Sequence, residues 1–586
     1  MSHLKLLFRK SLLHQGESCL TLFERVRNRS AFLLQSAGGG RFSFIGYDPF
    51  AKVWSRRGVT HFLKMRDFGD WKKSSSVSIF DGNPLDVLRE LVQHFSFPGK
   101  SPVPFAGGAA GYFSYDFGAS LNGVRQQVFD DLDLPDFSFF FTDKFFAVDE
   151  EKHELYLVAL GLTDIDAERK LENMEADIQA QGGLIHAGTL GKVTSNLSQD
   201  QYIRKIRKIQ HYLVDGETYQ VNFSQRFSAS STKDPWALYK ALVSKNPGPY
   251  CCYFDFDDFQ ILSSSPELLV SAFKGRVVTR PIKGTVARGK NASEDKKQIE
   301  SLLASSKDAA ELAMIVDLER NDLGKVCTPG SVEVVAHREV EPYARVIHTV
   351  STVQGKLRQG QDIFDLVAAV FPGGSITGCP KKRTMEIIDE LEDFRRGVYT
   401  GSAGFLGFDG HGEMNILIRT MLVHGQKLFF QTGGGIVFDS DPQLEYEESL
   451  QKAQALFDAL GASGFVTGIN HENVIISGFA PVILTNLLIA FWFQSSSMLG
   501  VKNFYAIKYS NSSSSSRRRV GSSWAREGYH SVFASGFGFG HGAGYRCRSN
   551  CEGCCRWSSG NDWVAQGSTD GGGGSYRRAG DGSGGG

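Results

Sequence analysis

The chain has 586 residues, enough for about three or four domains or for one large interleaved fold with additions. Lys and Arg number 64 and Asp and Glu number 64, so the formal net charge is zero and no overall positive field is present to collect nucleic acid. We therefore expect no nucleic-acid partner. Five of the nine cysteines are scattered over the first 460 residues and no signal segment opens the chain, which favours a reducing cytoplasm over a secreted disulfide scaffold.

The first 150 residues predict mostly strands and turns, and they form the first of two predicted regions. Within them, the segment from Gly107 to Tyr115 is apolar and rich in glycine, which predicts a strand at which two backbones approach closely. A strand and a charged helix from Asp164 to Gln181 follow. The second predicted region covers residues 195–458 and carries most of the polar residues that a solvated surface does not explain.

One such residue is Glu311, on a helix predicted from Lys307 to Leu318. It shares a face with Met314 and Ile315, at spacings of three and four residues. A carboxylate within an apolar stripe costs free energy unless it is paired or bound to a metal. Alternatively, Glu311 lies at the edge of the stripe and reaches water.

Three antiparallel strands are predicted near the end of the second region, over Val398–Phe408, Asn415–Val423 and Leu428–Phe438. The third contains the glycines 433–435. Their amides are free of neighbouring side chains and could approach an anion, or the glycines could mark a strand bulge. Both interpretations fit the sequence.

A helix after these strands carries Glu445, Glu448 and Lys452 on one face. On a surface this is a Glu–Lys pair of little energetic weight. In a site, the two carboxylates suit Mg²⁺, which keeps one or two protein carboxylates and fills its other positions with water and substrate oxygens. The spacing alone does not choose between the two.

Residues 461–586 form an anomalous tail. Val474 to Phe493 is apolar over about the 20 residues that a bilayer span needs, and arginines follow it. Four cysteines between Cys547 and Cys555 could ligate a metal, but no partner set with standard spacing accompanies them. Because the tail is rich in Gly, Ser and Arg and lacks periodicity, we favour disorder or a shifted reading frame over a membrane anchor or a metal site.

Six motifs in chain order resemble those of the chorismate-utilising enzyme family. They are Tyr-Gln-Val-Asn-Phe-Ser-Gln-Arg at 219–226, Ser-Pro-Glu at 265–267, Pro-Ile-Lys-Gly-Thr at 281–285, Met-Ile-Val-Asp-Leu-Glu-Arg-Asn-Asp at 314–322, Phe-Pro-Gly-Gly-Ser-Ile-Thr-Gly-Cys-Pro-Lys at 371–381 and Gly-Gly-Gly-Ile-Val at 433–437. The resemblance covers residues 1 to about 458. It implies an α/β (α+β) fold in which two large antiparallel sheets pack together, with helices outside and the active site between the sheets.

The resemblance also indicates a branch of the family. Gln220 stands where the isochorismate and salicylate synthases have a water-activating lysine, and glutamine cannot act as a base. Lys283 stands where anthranilate synthases have alanine. These residues imply magnesium-dependent conversion of chorismate and ammonia to 4-amino-4-deoxychorismate for p-aminobenzoate and folate synthesis. Anthranilate formation and an inactive tryptophan-binding regulatory subunit are the alternatives.

In this family context Lys283 is expected to form a covalent adduct with the ring, which requires an uncharged amine. Glu267 is expected to be the general acid for the departing hydroxyl, and His348 a positioning or basic residue beside it. The resemblance assigns the metal to Glu311 and Glu448, with Glu445 close by. It assigns substrate binding to seven further residues: Thr285, Ser375, Tyr399, Arg419, Gly434, Gly435 and Lys452.

The N-terminal region resembles the family's tryptophan pocket, although a glycine turn packed on a proline turn would read the same way. The expected pocket residues are Ser36, Arg41, Phe42, Ser43, Phe44, Pro249, Tyr250 and Cys251. The chain carries no cysteine in a nucleophile elbow with a His-x-Glu partner. We therefore expect ammonia to come from solution or from a separate glutamine-hydrolysing subunit.

Overall fold

The structure is a computed structural model that describes residues 2–69, 71–343, 345–462 and 465–467. The predicted apolar run and cysteine cluster of the tail lie outside these residues. Within them, no helix is both long and apolar enough to cross a bilayer.

The strands of the first 200 residues are short to medium in length and mostly buried. They are β1 (Ser2–His3), β2 (Lys5–Leu12), β3 (Phe32–Gln35), β4 (Phe42–Gly46), β5 (Ala51–Arg56), β6 (Val59–Lys64), β7 (Ser78–Phe80), β8 (Phe95–Ser96), β9 (Gly108–Phe113), β10 (Phe137–Thr142), β11 (Lys144–Asp149), β12 (Glu154–Gly161) and β13 (Thr194–Ser195).

The strands that follow include those of the candidate site. They are β14 (Gln220–Ser230), β15 (Tyr250–Asp255), β16 (Phe259–Ser265), β17 (Leu268–Phe273), β18 (Arg276–Arg280), β19 (Ile282–Ala287), β20 (Glu333–Pro342), β21 (Val346–Lys356), β22 (Gly378–Cys379), β23 (Ser402–Gly407), β24 (Gly412–Asn415), β25 (Thr420–His424), β26 (Lys427–Ile436) and β27 (Val466–Thr467).

The helices connect the strands and pack outside them. They are α1 (Cys19–Val26), α2 (Pro84–His94), α3 (Tyr115–Leu121), α4 (Asp164–Ile178), α5 (Gln199–Val214), α6 (Pro235–Lys245), α7 (Ala292–Ala304), α8 (Ser306–Gly324), α9 (Ile363–Val370), α10 (Lys381–Leu391) and α11 (Pro442–Leu460). A 3₁₀ turn at Gly374–Ile376 precedes α10.

Two helices that serve the site have well-defined ends. The Ser305 side chain accepts a hydrogen bond from the Asp308 amide and starts α8. Asp441 caps α11 in the same way, with Pro442 in the first turn, and Gly461 ends that helix in a left-handed conformation. Both helices are therefore fixed at their N-terminal ends, close to Glu311 on α8 and Glu445 on α11.

The strands form two large sheets and one two-stranded pair. The twelve-stranded sheet has the order β19-β21-β18-β17-β24-β23-β9-β10-β5-β6-β7, with β20 also on β21. The thirteen-stranded sheet has the order β2-β12-β11-β4-β3-β15-β16-β25-β26-β14-β13-β27, with β22 also on β14. Apart from the short parallel pair β13–β27, neighbours in both sheets are antiparallel. The expected pair of large antiparallel sheets is confirmed.

The two sheets pack face to face through aromatic side chains. Phe44 of the thirteen-stranded sheet lies edge-on to Phe405 of the twelve-stranded sheet, with ring centroids 5.9 Å apart, and edge-on to Phe105 at 5.7 Å. Gly111 permits the close approach predicted for its strand, because a Cβ there would lie 2.0 Å from the Ser138 carbonyl oxygen. Each large sheet takes strands from both predicted regions, and the boundaries at 150 and 195 stay predictions.

The strand predicted over Asn415–Val423 is wrong. The chain leaves the twelve-stranded sheet at Asn415 and enters the thirteen-stranded sheet at Thr420. Ile416 and Leu417 between them are buried and apolar, so the pattern resembles a continuing strand. The bulge alternative for the glycines at 433–435 is also wrong, because they pair with residues 222–224 of β14 in regular register.

Candidate active site

Lys283 points into the space between the two sheets. It lies on β19 at a register irregularity, and the neighbouring Gly284 has a φ of 84°, which favours glycine. A Cβ placed on Gly435 of the opposite sheet would lie 3.0 Å from Lys283 Nζ. The same nitrogen lies 3.5 Å from Glu311 Oε2, and the side chain is only 15% exposed. The amine is therefore directed at an enclosed site and not at solvent.

Glu267 lies in the short connection between β16 and β17, and it is buried. Burial raises the pKa of its carboxyl to about 7, against the opposing effects of Ser375 and Lys283. Its Oε1 has no hydrogen-bond partner among the described residues. A buried carboxyl that is half-protonated near neutrality and has a free oxygen can donate a proton to a bound group.

His348 is a neutral imidazole held from both sides. Its Nδ1 lies 2.8 Å from Thr285 Oγ1, and Arg419 Nη2 lies 3.4 Å from its Nε2. Burial and the Arg419 charge lower the pKa of His348 to about 3. Because the guanidinium can only donate, Nε2 accepts and Nδ1–H donates to the Thr285 hydroxyl. This arrangement suits a positioning residue better than a free base.

Arg419 presents a partly buried positive charge at the point where the chain crosses between the sheets. Its φ of 51° is unusual for a residue with a side chain and turns the chain here. Burial lowers the pKa of the guanidinium to about 10. No carboxylate of the described residues lies within ion-pair distance of it. A buried cation without a counter-ion is costly, and an anionic ligand would relieve that cost.

Two further predicted ligand residues are buried near this crossing. Ser375 lies on the 3₁₀ turn, and its hydroxyl has no partner in the described part of the chain. Tyr399 precedes β23, and its ring centroid lies 5.6 Å from the Arg396 guanidinium. Burial raises the pKa of Tyr399 to about 12, so its hydroxyl is a donor at neutral pH.

The predicted metal carboxylates come from two helices and are each matched by a lysine. Glu311 is on α8, and Glu445 and Glu448 are on α11. Lys307 Nζ lies 3.0 Å from Glu445 Oε1 and 3.9 Å from Glu311 Oε1. Lys452 Nζ lies 2.7 Å from Glu448 Oε1. Glu311 and Glu445 are buried and Glu448 is half-exposed, so Glu311 does not reach water as a stripe-edge residue would.

The glycine strand, which is β26 with its glycines at 433–435, brings the carboxylates and the lysine together. A Cβ on Gly434 would lie 3.2 Å from Glu445 Oε2 and 3.9 Å from Glu448 Oε1. The strand β25 pairs with β26 only as far as Phe430, so Gly434 and Gly435 keep one strand edge unpaired. Amides alternate in direction along a strand, and one of these two therefore faces the open edge.

The metal prediction is consistent with the donor chemistry but not tested by it. Within the described ranges, no group of three or more His, Cys, Asp or Glu side chains is arranged to hold an ion by itself. Mg²⁺ needs only one or two protein carboxylates when substrate and water supply the remaining oxygens. Glu311 and Glu448 offer hard oxygen donors of this kind, so the residues present fit the ion.

Sequence reasoning gave no role to Asn222, and it used Gln220 only to choose a branch. Both are buried on β14, and the side-chain amide nitrogen of each lacks a hydrogen-bond partner among the described residues. Gln220 Nε2 would lie 2.8 Å from a Cβ on Gly435, so this amide reaches the site. The available signal was their spacing of two residues, which places both side chains on one face of a strand.

A cavity separate from the site of Lys283 lies between the sheets, where the tryptophan pocket was expected. Six of the eight predicted residues line it: Ser36, Phe42, Phe44, Pro249, Tyr250 and Cys251. Arg41 instead forms an ion pair with Asp149, and Ser43 donates to Glu150. Sequence reasoning missed Glu413, which lines the cavity and whose pKa burial raises to about 7.

Comparison with known proteins shows which enzyme family this chain resembles. The family model described as chorismate binding enzyme matches residues 30–458. The chain is 39% identical over 465 residues to aminodeoxychorismate synthase component 1 of Bacillus subtilis (strain 168), covering 78% of this chain and 97% of that protein. It is 35% identical over 470 residues to anthranilate synthase component 1 of Acetivibrio thermocellus, covering 76% and 94%. The crystal structure of anthranilate synthase component I from Streptococcus pneumoniae TIGR4 matches with a TM-score of 0.64 and 32% identity, covering 71% of this chain and 92% of that one.

Proposed function

The chain belongs to the chorismate binding enzyme family, and we propose that it converts chorismate and ammonia to 4-amino-4-deoxychorismate for p-aminobenzoate and folate synthesis. The observation that carries this proposal is the position of Lys283. Its amine points between the sheets toward the glycine strand, near the buried acid Glu267. A lysine and a protonated carboxyl in one enclosed site can displace a hydroxyl in two steps.

In the first step the uncharged amine of Lys283 bonds to C2 of the ring. Both ring double bonds shift toward C4, the C4–O bond breaks, and Glu267 gives its proton to the departing hydroxyl, which leaves as water. In the second step ammonia bonds to C4, both double bonds shift back, and the lysine nitrogen leaves C2 with its electron pair. The proton released by ammonia restores the acid, so the sum is chorismate plus ammonia giving aminodeoxychorismate plus water.

The charges of the site suit a dianion. Arg419 and the Tyr399 hydroxyl would bind the enolpyruvyl carboxylate, because the guanidinium is partly buried and has no carboxylate partner in the described structure. The open amide of the glycine strand, the free Ser375 hydroxyl and Lys452 would hold the remaining oxygens. Thr285 would act indirectly by fixing the tautomer of His348, which then faces the C4 hydroxyl as a positioning residue.

Glu311 and Glu448 would hold Mg²⁺, with Glu445 beside them. When bound, the ion would neutralise the ring carboxylate. Glu311 also lies 3.5 Å from Lys283 Nζ, so the metal site and the proposed nucleophile share this carboxylate.

Two partners follow from the family. Aminodeoxychorismate synthase component 1 and anthranilate synthase component 1 are named as components. We infer that a separate glutamine-hydrolysing amidotransferase supplies ammonia to this chain. We also infer that the cavity lined by Pro249 and Tyr250 takes tryptophan, and a tryptophan titration by calorimetry, with and without a Tyr250→Ala substitution, would test that inference.

The full-length chain, chorismate, Mg²⁺ and ammonium test the reaction. We expect a product that yields p-aminobenzoate only after a downstream lyase is added. Anthranilate fluorescence without the lyase would instead identify an anthranilate synthase, and the absence of any turnover would favour a regulatory subunit.

Substitution of the lysine tests the adduct. Lys283→Ala should abolish or reroute the reaction, whereas Lys427→Ala, at an exposed strand end, should not. Intact-mass spectrometry of the unsubstituted chain incubated with chorismate and no ammonia should be compared with the same chain carrying Lys283→Ala. A mass increase that persists without Lys283 would contradict the proposed attachment.

A further inference from the structure

The proposed reaction leaves one charged group of the site without a role, the ammonium of Lys307. Its Nζ donates to Glu445 Oε1 at 3.0 Å and lies 3.9 Å from Glu311 Oε1. Lys307 is in the first turn of α8, where unpaired backbone amides already make a cation unfavourable. The two carboxylates offset that disadvantage. Lys307 therefore occupies the space between two of the carboxylates that would surround a metal ion.

The ammonium groups balance the carboxylates of the site. Glu311, Glu445 and Glu448 are contacted by Lys283, Lys307 and Lys452, so the substrate-free site pairs three carboxylates with three lysines. A divalent ion that enters this arrangement alone meets little net attraction. Chorismate carries two negative charges, and its arrival would restore the attraction.

Lys307 is the ammonium group best placed to yield. Its side chain is 47% exposed, and within the described structure it donates only to Glu445. Lys283 is 15% exposed, and Lys452 also donates to the Gly433 carbonyl oxygen. A long exposed side chain can move its charge into water at little cost. The Glu445 side chain is only 4% exposed, so it needs another cation when Lys307 leaves.

We propose that Lys307 is the counter-ion that an entering divalent cation displaces, and that it weakens metal binding to the substrate-free protein. The inference rests on the metal site of the proposed function. It also predicts that metal and chorismate bind with positive coupling, because each supplies the charge that the other needs.

Mn²⁺ titration of the full-length chain without chorismate, followed by the electron paramagnetic resonance signal of free Mn²⁺, tests the proposal. Removing two partly screened contacts of Lys307 in a Lys307→Met chain should lower the dissociation constant about fivefold. Lys307→Arg keeps the charge and should bind Mn²⁺ as the unsubstituted chain does. Lys296→Met is the matched control, because this lysine is 79% exposed on α7 and contacts only Glu300.

The outcomes separate this inference from the proposed function. Tighter binding by the Lys307→Met chain alone supports the inference, including the case in which only that chain binds measurably. An unchanged or larger dissociation constant overturns it, as does a complete lack of binding by all four chains. Chorismate turnover at saturating Mg²⁺ is measured separately. The proposed function and the inference about Lys307 can therefore each be refuted without the other.

Discussion

Replacing Glu267 by glutamine should stabilise the fold at alkaline pH while removing most of the turnover. Its pKa is about 7 in the folded protein and 4.5 in the reference state. A raised pKa means that folding favours the protonated carboxyl. The stabilising contribution is therefore fully present below pH 4.5 and is lost as the pH rises through 7. At one unit of pKa for each 1.36 kcal/mol, ionising Glu267 costs the folded state about 3 kcal/mol above pH 8.

Glutamine keeps the shape of the protonated carboxyl and does not ionise. We therefore expect Glu267→Gln to unfold at higher urea than the unsubstituted chain at pH 8.5 and at nearly the same urea at pH 4.5. The folding difference is measured by tryptophan fluorescence at both pH values. Turnover at pH 7 should fall by about 10²- to 10⁴-fold, the usual contribution of a general acid.

Glu413→Gln is the matched control for the stability half of this prediction. Glu413 is a partly buried glutamate, and desolvation alone raises the pKa of its carboxyl to about 7. It should show the same pH-dependent gain in stability. A Glu267→Gln chain with no gain at pH 8.5, in an experiment where Glu413→Gln does gain, would refute the assignment of a neutral carboxyl to Glu267. Retained turnover would refute its role as the acid.

Three further substitutions probe the site. Gly433→Ala should destabilise the fold by about 1 to 3 kcal/mol in urea unfolding, because its Cβ would lie 2.0 Å from the Phe223 carbonyl oxygen and backbone cannot yield cheaply. Gly435→Ala should fold but lose turnover, because its Cβ would lie 2.8 Å from Gln220 Nε2 and 3.0 Å from Lys283 Nζ, the ends of two side chains that can shift. Unchanged kcat and KM would contradict the position of the amine. Because the pKa of His348 is lowered to about 3, the pH–rate profile should show no limb near pH 6.5, and a limb there that His348→Gln removes would contradict its neutrality.

Local spacing was sufficient to predict which candidate residues share a face of one element. The helical period placed Glu311 within an apolar stripe, and the structure finds it buried beside Lys283. The same period placed Glu445 and Glu448 on one helix face, and both approach the Gly434 position. These shared faces could be predicted because a regular element converts sequence distance directly into direction.

Sequence spacing gave a wrong strand prediction where the chain crosses from one sheet to the other. Residues 416 and 417 are buried and apolar, so they resemble the interior of a strand although they form a crossing. Glu413 was missed for a related reason. In an alternating strand a glutamate beside Met414 reads as the solvent-facing partner of a buried residue. Here the second sheet covers that face, so the glutamate lines a cavity and its pKa rises.

Lys307 shows why the electrostatics of the site exceed what periodicity can predict. Lys307 lies four residues before Glu311 on one helix, a spacing that predicts a weak surface ion pair. The observed Lys307–Glu311 separation of 3.9 Å agrees with this prediction. The stronger contact of Lys307 is with Glu445, which is 138 residues away on another helix. Only the packing of α8 against β19 and β21, and of α11 against β26, makes one ammonium serve both carboxylates. The charge balance that would control metal entry is therefore a property of the tertiary fold, although every residue that creates it is visible in the sequence.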